Sequence, residues 1–326
     1  MTWVTWRQYR YQGAVVAALL AALAVLLLMT GLHAAWVWHS ALASCAKDGS
    51  CGTLAGSNLS LGSPIVATIV VATSAVPLLP GLFWGAPMVA SELETGTNQF
   101  AWTQSITRRR WLAVRAGWLL LAAAVLAGAV SALVTWWSGP FDAMQADAFQ
   151  VNRFDVTDIV PVGYAIFAMA LGIAAGALLR RTLPALAVTL AGFAGLRAVI
   201  ALWLRPRFMT PVTMYYKLTA PLTPAGSYLA VSQGILGPNG KPPAAQTASS
   251  FGFNGVQVPA VCQKFMTGPD PLSVLPCLAA HGYRGYVSYQ PASRFWAFQG
   301  IETGIYVVLA AALLGVTFWV LQRRDA

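Results

Sequence analysis

Few residues in this 326-residue chain have the types and spacing that chemistry needs. His33, His39 and His281 form no metal pattern, no nucleophile motif is present, and no membrane carboxylates are paired. The stretch Ile235-Leu236-Gly237-Pro238-Asn239-Gly240-Lys241 echoes the end of an ATPase phosphate loop. That loop needs Gly where Ile235 stands and Ser or Thr where Pro242 stands, so the stretch reads as a Pro-Asn-Gly turn. No catalytic residue and no bound cofactor is expected, and the chain reads as non-enzymatic. The ionisable group that is out of place is Arg197. It interrupts an apolar run seven residues before Leu204, roughly 10 Å inside that helix end. A charge there is costly and points to function. Glu302, at the start of the last apolar run, is the expected partner of an Arg197–Glu302 ion pair. Arg197 either faces protein or a water-filled path, or snorkels to the outer interface.

The other chemistry lies in the four cysteines, Cys45, Cys51, Cys262 and Cys277. Their even number, confined to one side in the topology below, argues for disulfides. The local pairing, Cys45 with Cys51 and Cys262 with Cys277, is the expected one of three connectivities. A zinc site is the alternative, and no His or second Cys is read at ligand spacing for it.

Composition decides what positions these groups. Hydrophobic residues make up 57% and charged residues 9%, where a soluble domain carries about 25% charged. So few charges cannot clothe a soluble globule, which excludes a cytosolic enzyme, a disordered chain and a nucleic-acid binder despite the net charge of +10. Apolar runs of about 20 residues cross a bilayer. They fall at about 14–36, 64–90, 116–137, 159–179, 183–204 and 303–321. Helices are expected for all of them, because lipid satisfies no unpaired backbone group. The fold class is therefore an all-α integral membrane protein of six transmembrane helices, with a large disulfide-bearing extracytoplasmic loop between the fifth and sixth. Membrane lipid covers its apolar faces. The chain divides into an interfacial segment 1–13, spans one to five over 14–204, the loop subdomain 205–300, and span six with its tail over 301–326.

Arg7, Arg10, Arg108, Arg109, Arg110, Arg115, Arg180, Arg181, Arg323 and Arg324 fall on one side, against Lys47 and Arg153 in short loops on the other. Ten against two places both termini in the cytosol of a multi-pass protein of the cytoplasmic membrane. Leu42-Ala43-Ser44-Cys45 has the look of a lipoprotein cleavage box. The long apolar run before it, and Trp36, Trp38 and His39 between, argue for an uncleaved first span. In the large loop, 210–229 is apolar but broken by Pro211, Pro221 and Pro224. It reads equally as a dip into the outer leaflet or as part of a folded subdomain. Pro77 and Pro80 are expected to kink span two.

Two cytosolic stretches stand out. Trp3, Trp6 and Tyr9 recur every third residue beside Arg7 and Arg10, which suits an interfacial helix or ordinary aromatic anchoring of span one. In segment 91–110, Glu92 and Glu94 precede Gly96, then Phe100, Trp102 and Ile106, then Arg108-Arg109-Arg110. Apolar groups framed by charges suggest a protein contact. A turn stapled to the membrane by its own aromatics fits equally.

Glu92-Leu93-Glu94-Thr95-Gly96-Thr97, followed by Thr103-Gln104-Ser105-Ile106-Thr107-Arg108 before span three, resembles the cytosolic loop of type-2 ABC export permeases. Trp6-Arg7-Gln8-Tyr9-Arg10 resembles actinobacterial members. Six spans and a large loop carrying Cys262 and Cys277 resemble the transmembrane part of the G-subfamily of ABC transporters. The resemblance implies a dimer with a second permease copy or paralogue, and a separate cytosolic ABC ATPase subunit that binds ATP and Mg. It implies coupling through Glu92, Glu94, Gly96, Phe100, Trp102, Ile106 and Arg108. A path at the dimer interface would be lined by Thr73, Phe193 and Arg197. The wide apolar wall suggests a hydrophobic or amphipathic cargo: a drug, an antibiotic or a lipid-like peptide. The alternative is a membrane-embedded immunity or signalling protein whose outer loop binds a ligand or partner without transport.

The topology carries a direct test. A cysteine placed by Thr97→Cys is expected to resist an impermeant thiol reagent added outside intact cells, and to react once the membrane is opened. Labelling from outside would reverse the orientation.

Overall fold

The computed structural model describes residues 2–48, 64–95, 108–145, 149, 151–219, 228–240, 259–266 and 274–323. Among these, six helices are long and apolar enough to cross a membrane. They are span one (Ala14–Trp36), span two (Ala67–Glu92), span three (Leu112–Gly139), span four (Val160–Leu179), span five (Thr182–Arg207) and span six (Ala292–Val320). The helical class stands. One boundary moves: the last helix runs Phe295–Arg323, so Glu302 lies seven residues inside it rather than at its start. The acid ended the apolar window, but its neighbours Phe295-Trp296-Ala297-Phe298 continue the helix. Span one belongs to a helix that runs without a break from Thr2 to Asp48. Residues 2–13 therefore extend that helix instead of forming a separate one.

The chain forms two compact units. The first comprises 1–145, 151–200 and 297–326. Span four is its centre: 72% of its window is buried, against 17–50% for the other spans. It packs on spans two, three and five. The sequence permits this because one side of span four is built of small residues. A Cβ on Gly172 would strike the Gly81 carbonyl and come within 2.7 Å of the Ala86 nitrogen, and one on Gly176 would strike the Ala86 carbonyl. Small residues let helix backbones approach where lipid offers no hydrophobic drive between helices. Met88, Val89, Leu112, Ala116, Ala165, Met169 and Ile173 fill the core around that contact.

Span two is interrupted as its prolines suggest. Helix Pro64–Ala75 gives way to a 3₁₀ turn at Val76–Leu78 and a π-turn at Gly81–Gly85, then helix resumes over Ala86–Thr95. Pro77 and Pro80 have no N–H for the carbonyls of Thr73 and Val76. The Leu79 N–H bonds the Val76 carbonyl instead. Spans four and five are joined by Arg180, in the left-handed region at φ 54°, and an extended Arg181.

The second unit comprises 146–150 and 201–296. Its three antiparallel strands, β1 (Val212–Lys217), β2 (Tyr228–Leu236) and β3 (Arg284–Pro291), are ordered β1-β3-β2. Val212 pairs with Tyr289, Tyr228 pairs with Pro291, and a bulge falls at Ala230–Ser232. The stretch 210–229 thus supplies strand to a folded subdomain. Leu218, Cys262, Val274 and Leu278 make its small core. The expected Cys262–Cys277 disulfide is present, with Cα atoms 5.8 Å apart. It joins the helices Ala260–Met266 and Val274–Ala280, and a loop of this size is worth about 3 kcal/mol in the chain-entropy model. Cys51, and with it the expected Cys45–Cys51 pair, lies outside the described residues.

The glycine contact sets a test of packing. Gly172→Ala overpacks spans two and four and is expected to cost about 1–3 kcal/mol, read as a lower melting temperature in detergent. Gly117→Ala, with nothing within 4 Å of the added carbon, is expected to leave it unchanged or raise it.

Candidate functional site

The first unit gathers its buried charges around Arg197. The guanidinium reaches Asp155 from Nη2 at 3.0 Å and from Nε at 3.3 Å. Its Nη1 donates to the Ser74 carbonyl at 2.9 Å. The Arg197 and Asp155 side chains are 20% and 4% exposed, so this pair is largely out of solvent. The Ser74 carbonyl stands one residue before the helix end that precedes the 3₁₀ turn. The interruption of span two thus presents an acceptor to the cation of span five. The face of Tyr164 lies under the guanidinium, 5.1 Å from ring centre to Cζ, a cation–π contact.

Tyr164 extends the network to span six. Its hydroxyl is 2.6 Å from Glu302 Oε1 and 3.2 Å from Asp155 Oδ1. One phenolic hydrogen is shared between two carboxylates. The expected Arg197–Glu302 ion pair is therefore corrected. Arg197 pairs with Asp155, and Glu302 joins through Tyr164. The reason is placement: Tyr164 of span four stands between spans five and six, while Asp155 immediately precedes span four. Glu302 is fully buried. Gln299, one turn earlier, accepts from the Val160 N–H at 3.0 Å and donates to the Phe154 carbonyl at 3.2 Å. It caps the helix start of span four, whose N-cap residue Ile159 offers no side-chain acceptor.

The other expected path residues are internal. Phe193 is 3% exposed and packs edge-on to Tyr164 and along Phe167. Tyr306 closes this aromatic group, 4.7 Å from Tyr164. Thr73 is also 3% exposed, and its hydroxyl donates to the Ile69 carbonyl of its own helix at 2.8 Å. Asp155, Tyr164 and Gln299 were not singled out in the sequence. Asp155 carried a weak signal, an acid between Phe154 and Val156. Tyr164 and Gln299 looked like ordinary span and interface residues.

Near this network, Asp158 adopts φ 60°. Its N–H donates to the Thr135 hydroxyl at 3.1 Å, and its carbonyl accepts from Ser131 at 2.6 Å. Burial holds its carboxyl above the usual range, opposed by the Thr157 hydroxyl and Arg153. Burial also pulls Arg153 down to about 10, with Asp158 acting against it.

At the opposite end of span two, two of the expected coupling residues turn onto the protein itself. Glu92 pairs with Arg115 of span three. Glu94 accepts from the Thr182 N–H at 3.1 Å and the Thr182 hydroxyl at 2.8 Å. It thus caps span five from a neighbouring element, at the end where a negative charge suits the helix dipole. The Thr182 N–H, then its hydroxyl, and the nearby Arg181 hold the Glu94 carboxyl below the ordinary carboxylate range. Gly96, Phe100, Trp102 and Ile106 lie outside the described residues. Arg108 opens the helix of span three.

The buried pair gives the site its test. Arg197→Met leaves Asp155 charged and without its cation, and is expected to cost about 3–5 kcal/mol, measured by thermal unfolding in detergent. Adding Asp155→Asn is expected to recover most of that loss. Equal losses in the single and double variants would mean that the pair is not coupled.

Residues 17–205 match the family model described as ABC-2 membrane transporter related, and the chain belongs to that family. The match takes in spans one to five. No curated protein and no solved structure matches the chain.

Proposed function

From that membership, we propose that this chain is the permease subunit of an ATP-driven exporter in the cytoplasmic membrane, with both termini in the cytosol. A second permease, identical or paralogous, completes the membrane unit. ATP with Mg²⁺ is bound and hydrolysed on a separate ABC ATPase chain, and this chain performs no catalysis. The cargo is a hydrophobic or amphipathic compound.

One observation carries the reading. A single helix end, Ala86–Thr95, is tied through Glu92 to span three and through Glu94 to the start of span five. A displacement of segment 91–110 by an ATPase would act on spans two, three and five together. Span five carries Arg197, and span two carries the Ser74 carbonyl that Arg197 holds. A push at the cytosolic end would thereby reach the buried charge network. Phe100 and Trp102 have the size of interface hot spots, whose truncation costs upward of about 2 kcal/mol.

The test is copurification and transport. Wild-type protein is expected to bring down its ATPase and to stimulate ATP hydrolysis. The Phe100→Ala, Trp102→Ala double variant is expected to insert normally and to bind the ATPase roughly 30-fold or more weakly. A chain that recruits no ATPase, yet binds an external ligand, would instead be an immunity or signalling protein.

A further inference from the structure

The disulfide of the second unit has a third member that the transport reading does not use. His281 follows Cys277 by four residues, just past the helix end at Ala280, and its N–H bonds the Cys277 carbonyl at 3.3 Å. Its Nδ1 donates to the Cys277 carbonyl at 2.9 Å and lies 3.8 Å from Cys262 Sγ. The two sulfurs and an imidazole nitrogen all fall within 4.8 Å of one another. Sulfur and nitrogen bound to one tetrahedral zinc ion, at bond lengths of about 2.3 and 2.0 Å, are about 3.6 Å apart. The observed sulfur–nitrogen separation is already close to that edge. Cys262 is remote from this pair in the chain, and only the fold brings it beside His281.

We propose that Cys262, Cys277 and His281 form a redox-gated site for a borderline-soft divalent cation of the zinc class. In the oxidised state the sulfurs are bonded to each other and no metal is held. A dithiol reductant attacks one sulfur, passes through a mixed disulfide and leaves as its own disulfide, having delivered two electrons. Cys262 and Cys277 are then thiols. The cation displaces one proton from each, so two sulfur–metal bonds form and two protons go to solvent. His281 gives up the Cys277 carbonyl, its proton moves from Nδ1 to Nε2, and the freed Nδ1 lone pair of the neutral imidazole supplies the third bond. Cys262 is fully buried and His281 is exposed, so the fourth position faces outward and takes water. Three protein ligands with one open position is the arrangement of an exchangeable site rather than a closed structural one.

The experiment uses the full chain in detergent, with Cys45→Ser and Cys51→Ser so that only this pair reports. Cobalt(II) is the probe, and a phosphine is the reductant. The reduced protein is expected to bind one cobalt per chain with an intense sulfur-to-cobalt charge-transfer band, and the oxidised protein to give none. Cys262→Ser is expected to abolish the band. His281→Ala retains the disulfide, so it folds in the oxidised state; after reduction, with one of three protein ligands lost, it is expected to bind cobalt about tenfold or more weakly. The proposal is overturned by a reduced protein without the band, by wild-type cobalt affinity in His281→Ala, or by a chain that aggregates on reduction before metal is added.

Discussion

A guanidinium cannot be left alone inside an apolar helix, and the first unit is arranged to answer that requirement. Arg197 carries a charge where lipid or packed carbon would otherwise surround it, at a cost of several kcal/mol if unpaired. Four parts of the chain meet the demand. Asp155 supplies the countercharge, Ser74 a backbone acceptor, Tyr164 a ring face, and Glu302 a second carboxylate one hydroxyl away. The network therefore ties spans two, four, five and six through groups that none of them could satisfy alone. Such a node resists piecemeal change, because moving any one partner leaves a buried polar group unmet.

The irregularity of span two lies beside the same node. The Ser74 carbonyl, one residue from the end of the first helix of span two, accepts from Arg197 where the ladder changes. Pro77 and Pro80 supply that place, and the π-turn at Gly81–Gly85 returns the chain to helix on span four. There the backbones meet through Gly81, Gly172 and Gly176, with no room for side chains between them. Backbones that touch transmit displacement directly, since a packed interface is poorly compressible. At the other end of the same helix, Glu92 and Glu94 bind spans three and five. In the permease reading span two joins the ATPase contact to the buried charge, through the Glu92 and Glu94 bonds at one end and the Arg197–Ser74 bond on the far side of the π-turn.

The second unit is stabilised by different means. Among the described residues its buried core is Leu218, Cys262, Val274 and Leu278, and a small core is usually supplemented by a covalent link. The Cys262–Cys277 bond does this between two short helices, of seven residues each, that contribute little cooperative stability of their own. The placing of His281 against the sulfurs gives that bond a chemical context beyond its structural one.

What the sequence determined by itself was set by terms that act along the chain. Six helices follow from apolar length, because the cost of unsatisfied backbone in lipid leaves no other regular solution. The interruption of span two follows from Pro77 and Pro80, which lack N–H groups wherever they stand. The Cys262–Cys277 link follows from cysteines close enough to close a short loop. The functional weight of Arg197 was also legible, since its cost depends on the run around it. Its partner was not. Asp155 lies 42 residues away, and only the packing of span four between spans five and six determines which acid arrives at the guanidinium. The three-stranded sheet was likewise hidden, because β1 and β3 are separated by most of the loop and pair through backbone groups that every residue possesses. The hold of Glu92 and Glu94 on neighbouring spans is a tertiary outcome of the same kind: the sequence marks them as acids at the end of an apolar run, and only the placement of Arg115 and Thr182 beside them decides that they hold spans.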